Sequence, residues 1–205
     1  MTSRIPSGLY VVTDGPRADL VDACAAALRG GARILQYRDK THDAARRLDE
    51  ARELAELCAR HGAVFLVNDD VDLARASGAA GVHLGRGDTD IATARARLGD
   101  HAIIGATCHA SLDLAREAAT AGADYLAFGA FHPSPSKPDA VRATPDILRD
   151  ARRLGLPLVA IGGITPDNGA ALVAAGADCL AVISAVFGAP DIEAAARRFA
   201  HLFDS

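Results

Sequence analysis

The stretch "TAGADYLAF", residues 120–128, joins a helical pattern to a strand pattern, and this junction is the strongest indication of the fold class. The stretch "AAGADCLAV" at 174–182 repeats it, and "ASGAAGVHL" at 76–84 is a looser copy. In each copy a glycine ends an alanine-rich helical run, and a short apolar run follows. Glycine readily adopts the left-handed conformation that terminates a helix, so each copy predicts a helix end followed by a buried strand.

The rest of the chain continues this alternation of strands and helices. The sequence "TPD" at 144–146 and again at 165–167 is typical of a helix start, with threonine as the cap and proline in the first turn. Each strand-helix unit takes about 25 residues, which is the lower size limit of a (β/α)8 barrel. We therefore predict the α/β class and a single TIM barrel over residues 1–205. The predicted strands span residues 8–14, 33–40, 63–69, 81–85, 102–109, 124–131, 156–163 and 179–186.

An open doubly wound sheet is the alternative architecture. It usually has fewer strands, and the phosphate-binding fingerprint GxGxxG does not follow the first predicted strand. The barrel is therefore the better prediction.

Composition restricts the function classes. The chain has 205 residues, of which 50% are hydrophobic and 4% aromatic, and its net charge is −4 with acids and bases interleaved. It lacks a basic block for nucleic acid or anionic lipid, a signal-type apolar segment and a run that could span a bilayer. We expect a cytoplasmic protein without nucleic-acid or membrane partners. The scattered cysteines predict reduced thiols, not a disulfide or zinc site.

The stretch "QYRDK", residues 36–40, raises the first question about function. Strand alternation places Gln36, Arg38 and Lys40 on one face and Tyr37 and Asp39 on the other. Burying an unpaired charge destabilises a protein by on the order of several kcal/mol. The two cations therefore imply an anion or carboxylates facing them.

In a barrel, functional side chains lie at the carboxyl ends of the strands. Two acids at these ends, Asp69 and Asp88, offer oxygen ligands to a hard cation such as Mg²⁺, which also takes phosphate oxygens. Three cations, Arg38, Lys40 and Lys137, face them, which is the layout expected for a metal–diphosphate. The remaining polar or glycine positions at these ends are Asn68, Thr107, Gly162, Gly163 and Ser184, with Ile183 beside the last of them.

A second anion site is predicted on the other side of the barrel. Barrels often bind phosphate with the loops after strands seven and eight. The glycine pair at 162–163 allows close backbone approach, and the hydroxyl groups of Ser134, Ser136 and Ser184 add donors. The pattern therefore predicts two phosphorylated ligands in one barrel mouth, one of them as a metal complex.

Each element of this pattern also has a purely structural interpretation. Asn68, Asp69 and Asp88 could cap helices, since Asn and Asp favour that position. Arg38 and Lys40 could form a ring of ion pairs with Asp69 and Asp88. The stretch 134–136 could be only a turn, and His132 could be a packing residue.

Six motifs in order make the chain similar to the thiamine phosphate synthase family. They are "LQYRDK", "VNDDVDLARASGAAGVHLG", "IIGATCH", "GADYLAFG", "PSPSK" and "VAIGGITPDN", and they cover almost the whole chain. The resemblance implies a transferase that joins a hydroxymethylpyrimidine diphosphate to a thiazole phosphate, or its carboxylated form, and releases diphosphate. In that reaction the diphosphate leaves first, giving a pyrimidine methyl cation that the thiazole nitrogen attacks.

The resemblance also implies residue roles. The catalytic positions are Arg38, Lys40, Thr107 and Lys137, and the metal ligands for Mg²⁺ are Asp69 and Asp88. The pyrimidine diphosphate site takes Gln36, Tyr37, Arg38, Asp39, Lys40, Asn68, Thr107 and Lys137. The thiazole phosphate site takes Ser134, Pro135, Ser136, Gly162, Gly163, Ile183 and Ser184. The partners are small-molecule substrates, and a homo-oligomer stays possible.

Two positions depart from the commoner family pattern. Arg86 stands where many relatives have glutamine, and "GAFHPSPSK" at 129–137 replaces a Gly-Pro-aliphatic-aromatic form.

Two alternative functions stay open. A thiazole tautomerase of the same superfamily typically lacks the Asn-Asp pair and uses a histidine in the strand-six loop, where His132 lies two positions away. A non-catalytic barrel that binds thiamine precursors is the other.

Overall fold

Eight parallel strands close into a barrel in the computed structural model, which describes residues 5–133 and 142–204. Each strand pairs with the next along the chain, and β1 pairs with β8 through partners such as Leu9 and Leu180. This confirms the predicted (β/α)8 architecture. The strands are β1 Gly8–Val12, β2 Ala32–Tyr37, β3 Val64–Asn68, β4 Gly81–Leu84, β5 Ile103–His109, β6 Tyr125–Phe128, β7 Leu158–Ile161 and β8 Cys179–Val182.

Helices alternate with the strands and cover the outside of the barrel. Among the described residues they are α1 Leu20–Arg29, α2 Ala44–His61, α3 Val71–Ser77, α4 Ile91–Leu98, α5 Leu112–Thr120, α6 Pro145–Ala151, α7 Pro166–Ala174, α8 Ser184–Phe187 and α9 Ile192–Ala200. No helix in this part of the chain is both long enough and apolar enough to cross a bilayer. The four cysteines are buried free thiols, as the sequence predicted.

The core has two layers because strand residues alternate between the barrel interior and the helix layer. One set of buried side chains, including Tyr10, Ile34, Leu66 and Tyr125, fills the interior. The other set, including Leu35 and Phe65, packs under the helices. Positions of interior parity near the carboxyl ends of the strands therefore line the floor of the barrel mouth.

The repeated helix-to-strand junction has the predicted geometry. Gly78, Gly122 and Gly176 have φ of 74°, 94° and 111°, in the left-handed region. The residue after each glycine donates its backbone N–H to a carbonyl of the last helical turn, as from Ala123 to Ala118 O at 3.0 Å. These bonds satisfy helix carbonyls that would otherwise lack partners, so one local device ends three helices.

The predicted strands are too long at their carboxyl ends. The eighth strand ends at Val182, so the prediction that it contains Ile183 and Ser184 is wrong: Ser184 begins the short helix α8. Likewise β2 ends at Tyr37, and Arg38 to Lys40 lie in the following loop. The strand-like sequence pattern continues beyond the last residue that pairs with a neighbouring strand. The strand itself ends earlier, where the backbone turns across the mouth and stops forming inter-strand hydrogen bonds.

We predict that Gly122→Ala lowers the free energy of unfolding by about 1–2 kcal/mol, the cost of a left-handed backbone for a residue with a Cβ. No atom lies within 4 Å of the position that this Cβ would occupy, so only backbone strain is tested. The measurement is urea unfolding followed by circular dichroism.

Gly87→Ala is the matched control, since its Cβ would also meet nothing within 4 Å and its φ is not positive. That variant should lie within about 0.5 kcal/mol of wild type. Equal losses in both variants would contradict the role of Gly122 as a left-handed helix end.

Candidate active site

Two carboxylates adjoin each other at the mouth of the barrel, the end where the carboxyl ends of the strands meet. Asp69 follows β3 and Asp88 follows β4, and the two carboxyl groups lie within hydrogen-bonding reach of each other. Partial burial raises the pKa of Asp88, and its hydrogen bond with Asp69 and the charge of Asp69 raise it further. A pair of acids held this close is stabilised when a cation joins them.

The backbone at Asp69 is unusual. Its φ is 62°, in the left-handed region that few residues other than glycine adopt. Asn68 Nδ2 donates to Asp69 Oδ2 at 2.6 Å, and the ammonium of Lys40 pairs with the same oxygen. The strained backbone thus presents the carboxylate to a cation and an amide, a pattern typical of functional positions.

Neighbouring acids, not the site acids, cap the helices. Asp70 Oδ1 accepts from Leu73 N at 2.9 Å at the start of α3, and Asp90 Oδ1 accepts from Thr93 N at 2.9 Å at the start of α4. The capping interpretation of Asn68, Asp69 and Asp88 is therefore wrong. Asp88 Oδ2 instead accepts from Gly85 N at 2.7 Å, which fixes its carboxyl group in the loop after β4.

Lys40 is the predicted cation that lies beside the pair. Lys40 is 60% exposed at its side chain, so its ammonium can reach a ligand as well as Asp69. Arg38 is half-buried and forms no ion pair with a carboxylate among residues 5–133 and 142–204, so a closed structural ring of ion pairs is not formed. Arg47, which we did not predict, also lines the groove of about 320 Å³ beside the pair.

The side chains of Tyr37 and Asp39 bind neighbouring protein groups, although Asp39 also lines the groove beside Asp69 and Asp88. Tyr37 donates to Glu50 Oε2 at 2.6 Å on the helix side of β2. Asp39 Oδ2 accepts from Arg46 Nη2 at 2.7 Å, and its other oxygen accepts from Thr41 N at 2.7 Å. These two side chains hold the loop after β2 against α2, and through that loop they position Arg38 and Lys40.

A chain of hydrogen bonds crosses the barrel interior beneath the mouth. Gln36 Nε2 donates to Tyr10 OH at 2.6 Å, and Tyr10 OH lies 2.9 Å from Tyr125 OH. Tyr125 OH lies 2.8 Å from His83 Nδ1, and His83 Nε2 lies 2.9 Å from Thr107 Oγ1. The predicted residues Gln36 and Thr107 are the two ends of this chain.

Its three middle members, Tyr10, His83 and Tyr125, were not predicted as site residues. The available signal was their strand parity, which places polar side chains inside the barrel. Burial lowers the pKa of His83 to about 4, against an opposing effect of the Asp88 charge, so the imidazole is neutral at physiological pH.

The loops after β6 and β7 touch at the opposite side of the mouth. Gly162 and Gly163 have φ of 103° and 65°. A Cβ on Gly163 would lie 2.4 Å from Pro133 O, and one on Gly162 would lie 2.5 Å from Ala130 Cβ. Only glycine fits at these positions. The exposed Ser184 and the half-buried Ile183 follow β8, the strand paired with β7.

The remaining predicted site residues, Ser134, Pro135, Ser136 and Lys137, lie outside the described residues. Their assignments stay predictions. His132 lies two residues before Ser134, with its backbone N–H donating to Gly162 O at 3.0 Å.

The chain is similar to known proteins over most of its length. Residues 9–186 match the family model described as thiamine monophosphate synthase. The thiamine-phosphate synthase of Thioalkalivibrio sulfidiphilus is 58% identical over 201 residues, which cover 96% of this chain and 95% of that protein. That of Acidithiobacillus ferrooxidans is 55% identical over 206 residues, covering 97% and 95%. The solved thiamine phosphate pyrophosphorylase from Pyrococcus furiosus superposes with a TM-score of 0.88 at 36% identity, covering 98% and 96%.

We predict that His83 makes stability depend on pH. Its pKa is about 4 in the folded protein, below the free value of 6.5, so between these values the unfolded chain binds a proton that the folded protein does not. Stability from this residue is present above pH 6.5 and is lost as pH falls toward 4. Relative to His83→Gln, wild type should lose up to about 3 kcal/mol across that window.

Denaturant unfolding of both proteins at closely spaced pH values between 7 and 4 measures this difference. His101→Gln removes an exposed histidine and serves as the control. Parallel stability curves for wild type and His83→Gln would contradict a neutral, partly buried imidazole.

Proposed function

Because the chain belongs to the thiamine monophosphate synthase family, we propose that it is a transferase that makes thiamine phosphate. It joins a hydroxymethylpyrimidine diphosphate to a thiazole phosphate, or its carboxylated form, and releases diphosphate. The observation that carries the proposal is the adjoining pair Asp69 and Asp88, held beside Lys40 and Asn68 and free of helix capping.

The donor set at this pair fits Mg²⁺. Mg²⁺ binds through one or two carboxylates and fills its other positions with water and substrate phosphate oxygens. The described residues offer two adjoining carboxylates, and no group of three or more Asp, Glu, His or Cys side chains among them is arranged to hold a metal ion. Asp69 and Asp88 would hold the ion. When bound, it supplies positive charge that offsets the charge of the diphosphate.

The diphosphate lies on the same side of the mouth. Lys40 and Arg38 provide positive charge there. Among the described residues they do not form a closed ring of ion pairs with carboxylates, so both can bind a ligand. Thr107 provides a hydroxyl group, while Gln36 and Asn68 line the interior at the ends of β2 and β3. Lys137 belongs to this group by sequence resemblance alone.

The thiazole phosphate lies on the other side. The glycine pair at 162–163 brings backbone close to the mouth, and Ile183 and Ser184 lie next to it after the neighbouring strand. Ser134, Pro135 and Ser136 belong to this site by resemblance. Placing the two ligands on opposite sides directs the thiazole nitrogen at the pyrimidine methylene carbon.

The reaction needs orientation and charge more than a proton acceptor. The bond between the methylene carbon and the diphosphate oxygen breaks, and its electron pair leaves with diphosphate. The resulting pyrimidine methyl cation is stabilised by its amino group. The lone pair of the thiazole nitrogen then forms the new carbon–nitrogen bond. Protein cations stabilise the leaving group, and the two binding sides hold the reactants within reach.

A coupled assay with both phosphorylated substrates tests this proposal, with and without EDTA. Synthesis that requires a divalent cation supports it. A thiazole tautomerase would act on the thiazole substrate alone and without added Mg²⁺, and a binding protein would show no turnover.

We predict that Asp69→Asn and Asp88→Asn each raise the Mg²⁺ concentration for half-maximal activity by at least about tenfold. Mutating residues that only hydrogen-bond to metal ligands already lowers metal affinity by about that factor. Neither variant should lose stability in EDTA, because each removes one of two adjoining charges. Magnesium titrations of initial rate, with thermal unfolding in parallel, check both statements.

Asp90→Asn is the matched control, since it removes an acid two residues from Asp88 while asparagine keeps the helix cap. It should leave the Mg²⁺ requirement unchanged. Wild-type activity of Asp69→Asn or Asp88→Asn at low Mg²⁺ would remove that residue from the metal site.

We predict that Ser184→Asp raises KM for the thiazole phosphate by about tenfold or more, since about 1.4 kcal/mol of added charge repulsion has that effect. KM for the pyrimidine diphosphate should change by less than about twofold, a few tenths of a kcal/mol. Ser184→Asn, similar in shape but neutral, is the control. Equal changes in both KM values would show that the two ligands are placed wrongly.

A further inference from the structure

The interior hydrogen-bond chain from Gln36 to Thr107 takes a single direction when each hydroxyl group donates to the next member. A side-chain amide nitrogen can only donate, so Tyr10 OH accepts from Gln36 Nε2 at 2.6 Å. The Tyr10 hydrogen is then available for Tyr125 OH, 2.9 Å away. The Tyr125 hydrogen in turn goes to His83 Nδ1, 2.8 Å away. In this arrangement every link points from Gln36 toward Thr107.

This direction sets the state of the last two members. His83 Nδ1 is an acceptor, so a neutral imidazole carries its proton on Nε2. That nitrogen donates to Thr107 Oγ1, 2.9 Å away. The hydroxyl hydrogen of Thr107 is then not used within the chain.

From this geometry we propose that Tyr10, His83 and Tyr125 are positioning residues that hold His83 as the Nε2–H tautomer and leave Thr107 as a hydrogen-bond donor to an anionic ligand in the mouth. The proposal rests on the proposed function, in which Thr107 faces the diphosphate. Phosphate oxygens carry lone pairs and need donors. A threonine that presented its own lone pairs to them would repel the ligand.

The surroundings keep the chain intact. Burial raises the pKa of Tyr10, and burial followed by the charge of Tyr10 raises that of Tyr125, so both phenols keep their hydrogens. The His83 ring stacks on Tyr125 with centroids 5.6 Å apart, and Tyr10 meets Tyr125 edge-on at 6.2 Å. Linked hydrogen bonds in a low-dielectric interior strengthen one another.

The sequence also makes room for this arrangement. Gly105 lies two residues before Thr107 on β5, and a Cβ there would lie 1.9 Å from Tyr125 Cζ. The strand that carries Thr107 therefore admits the Tyr125 ring only because it has glycine at this position.

The first experiment measures the His83 tautomer by ¹⁵N NMR of the free protein, with His83→Gln used to assign its signals. The expected result is one protonated Nε2 and one unprotonated Nδ1 at pH 7. A proton on Nδ1, or an even mixture of tautomers, would overturn the proposal. This measurement needs no substrate, so it stands even if the protein lacks synthase activity.

The second experiment is a double-mutant cycle on synthase turnover. Thr107→Val should lower kcat by about 10²-fold, as removal of one preorganised donor does. Tyr125→Phe should lower kcat by about tenfold, since it breaks the chain but leaves the hydroxyl. If Tyr125 acts through Thr107, the double variant will be no slower than Thr107→Val alone.

Multiplicative losses in the double variant would mean that Tyr125 has only a structural role, and would overturn the proposal. Thr107→Ser keeps the hydroxyl and should restore both the activity and its sensitivity to Tyr125→Phe. If Tyr125→Phe does not fold, Tyr10→Phe interrupts the same chain one link earlier and replaces it in the cycle. A wild-type protein without turnover would refute the proposed function but leave the tautomer result to decide this proposal.

Discussion

Closure of the sheet is the constraint on which the rest of the structure depends. Pairing of β1 with β8 turns eight parallel strands into a ring, so all eight carboxyl ends meet at one mouth. Residues far apart in sequence, such as Gln36 and Thr107, thereby become the ends of one hydrogen-bond chain. An open sheet would leave its edge strands unable to contribute to a common site.

Strand alternation gives the two faces of each strand different roles. Interior positions form the hydrogen-bond chain beneath the mouth, whereas exterior positions bind the loops to the surrounding helices. The β2 segment shows this division within adjacent residues. Gln36 enters the barrel and Tyr37 turns outward to Glu50. Asp39 then anchors to Arg46, which fixes the path of the loop that carries Arg38 and Lys40.

The sequence was sufficient to predict the barrel, because glycine helix ends and apolar runs are local signals, and polar residues at the strand ends of a barrel necessarily lie at one mouth. The boundaries at the carboxyl ends were harder. Ile183 continues an apolar run, yet the backbone leaves the ladder after Val182. The role of Tyr37 and Asp39 depended on Arg46 and Glu50, which reach them from α2. The interior chain was missed because His83, Tyr10 and Tyr125 are separated in sequence and meet only when the ring closes.

The separation of capping acids from site acids has a consequence for how this barrel can change over time. Asp70 and Asp90 cap the first turns of α3 and α4. Asp69 and Asp88 lie one and two residues away and cap neither helix. Substitutions at the mouth therefore do not require the helices to be rebuilt. Changes at Asp69 or Asp88 would therefore alter ligand binding while the helix starts that shape the scaffold are kept.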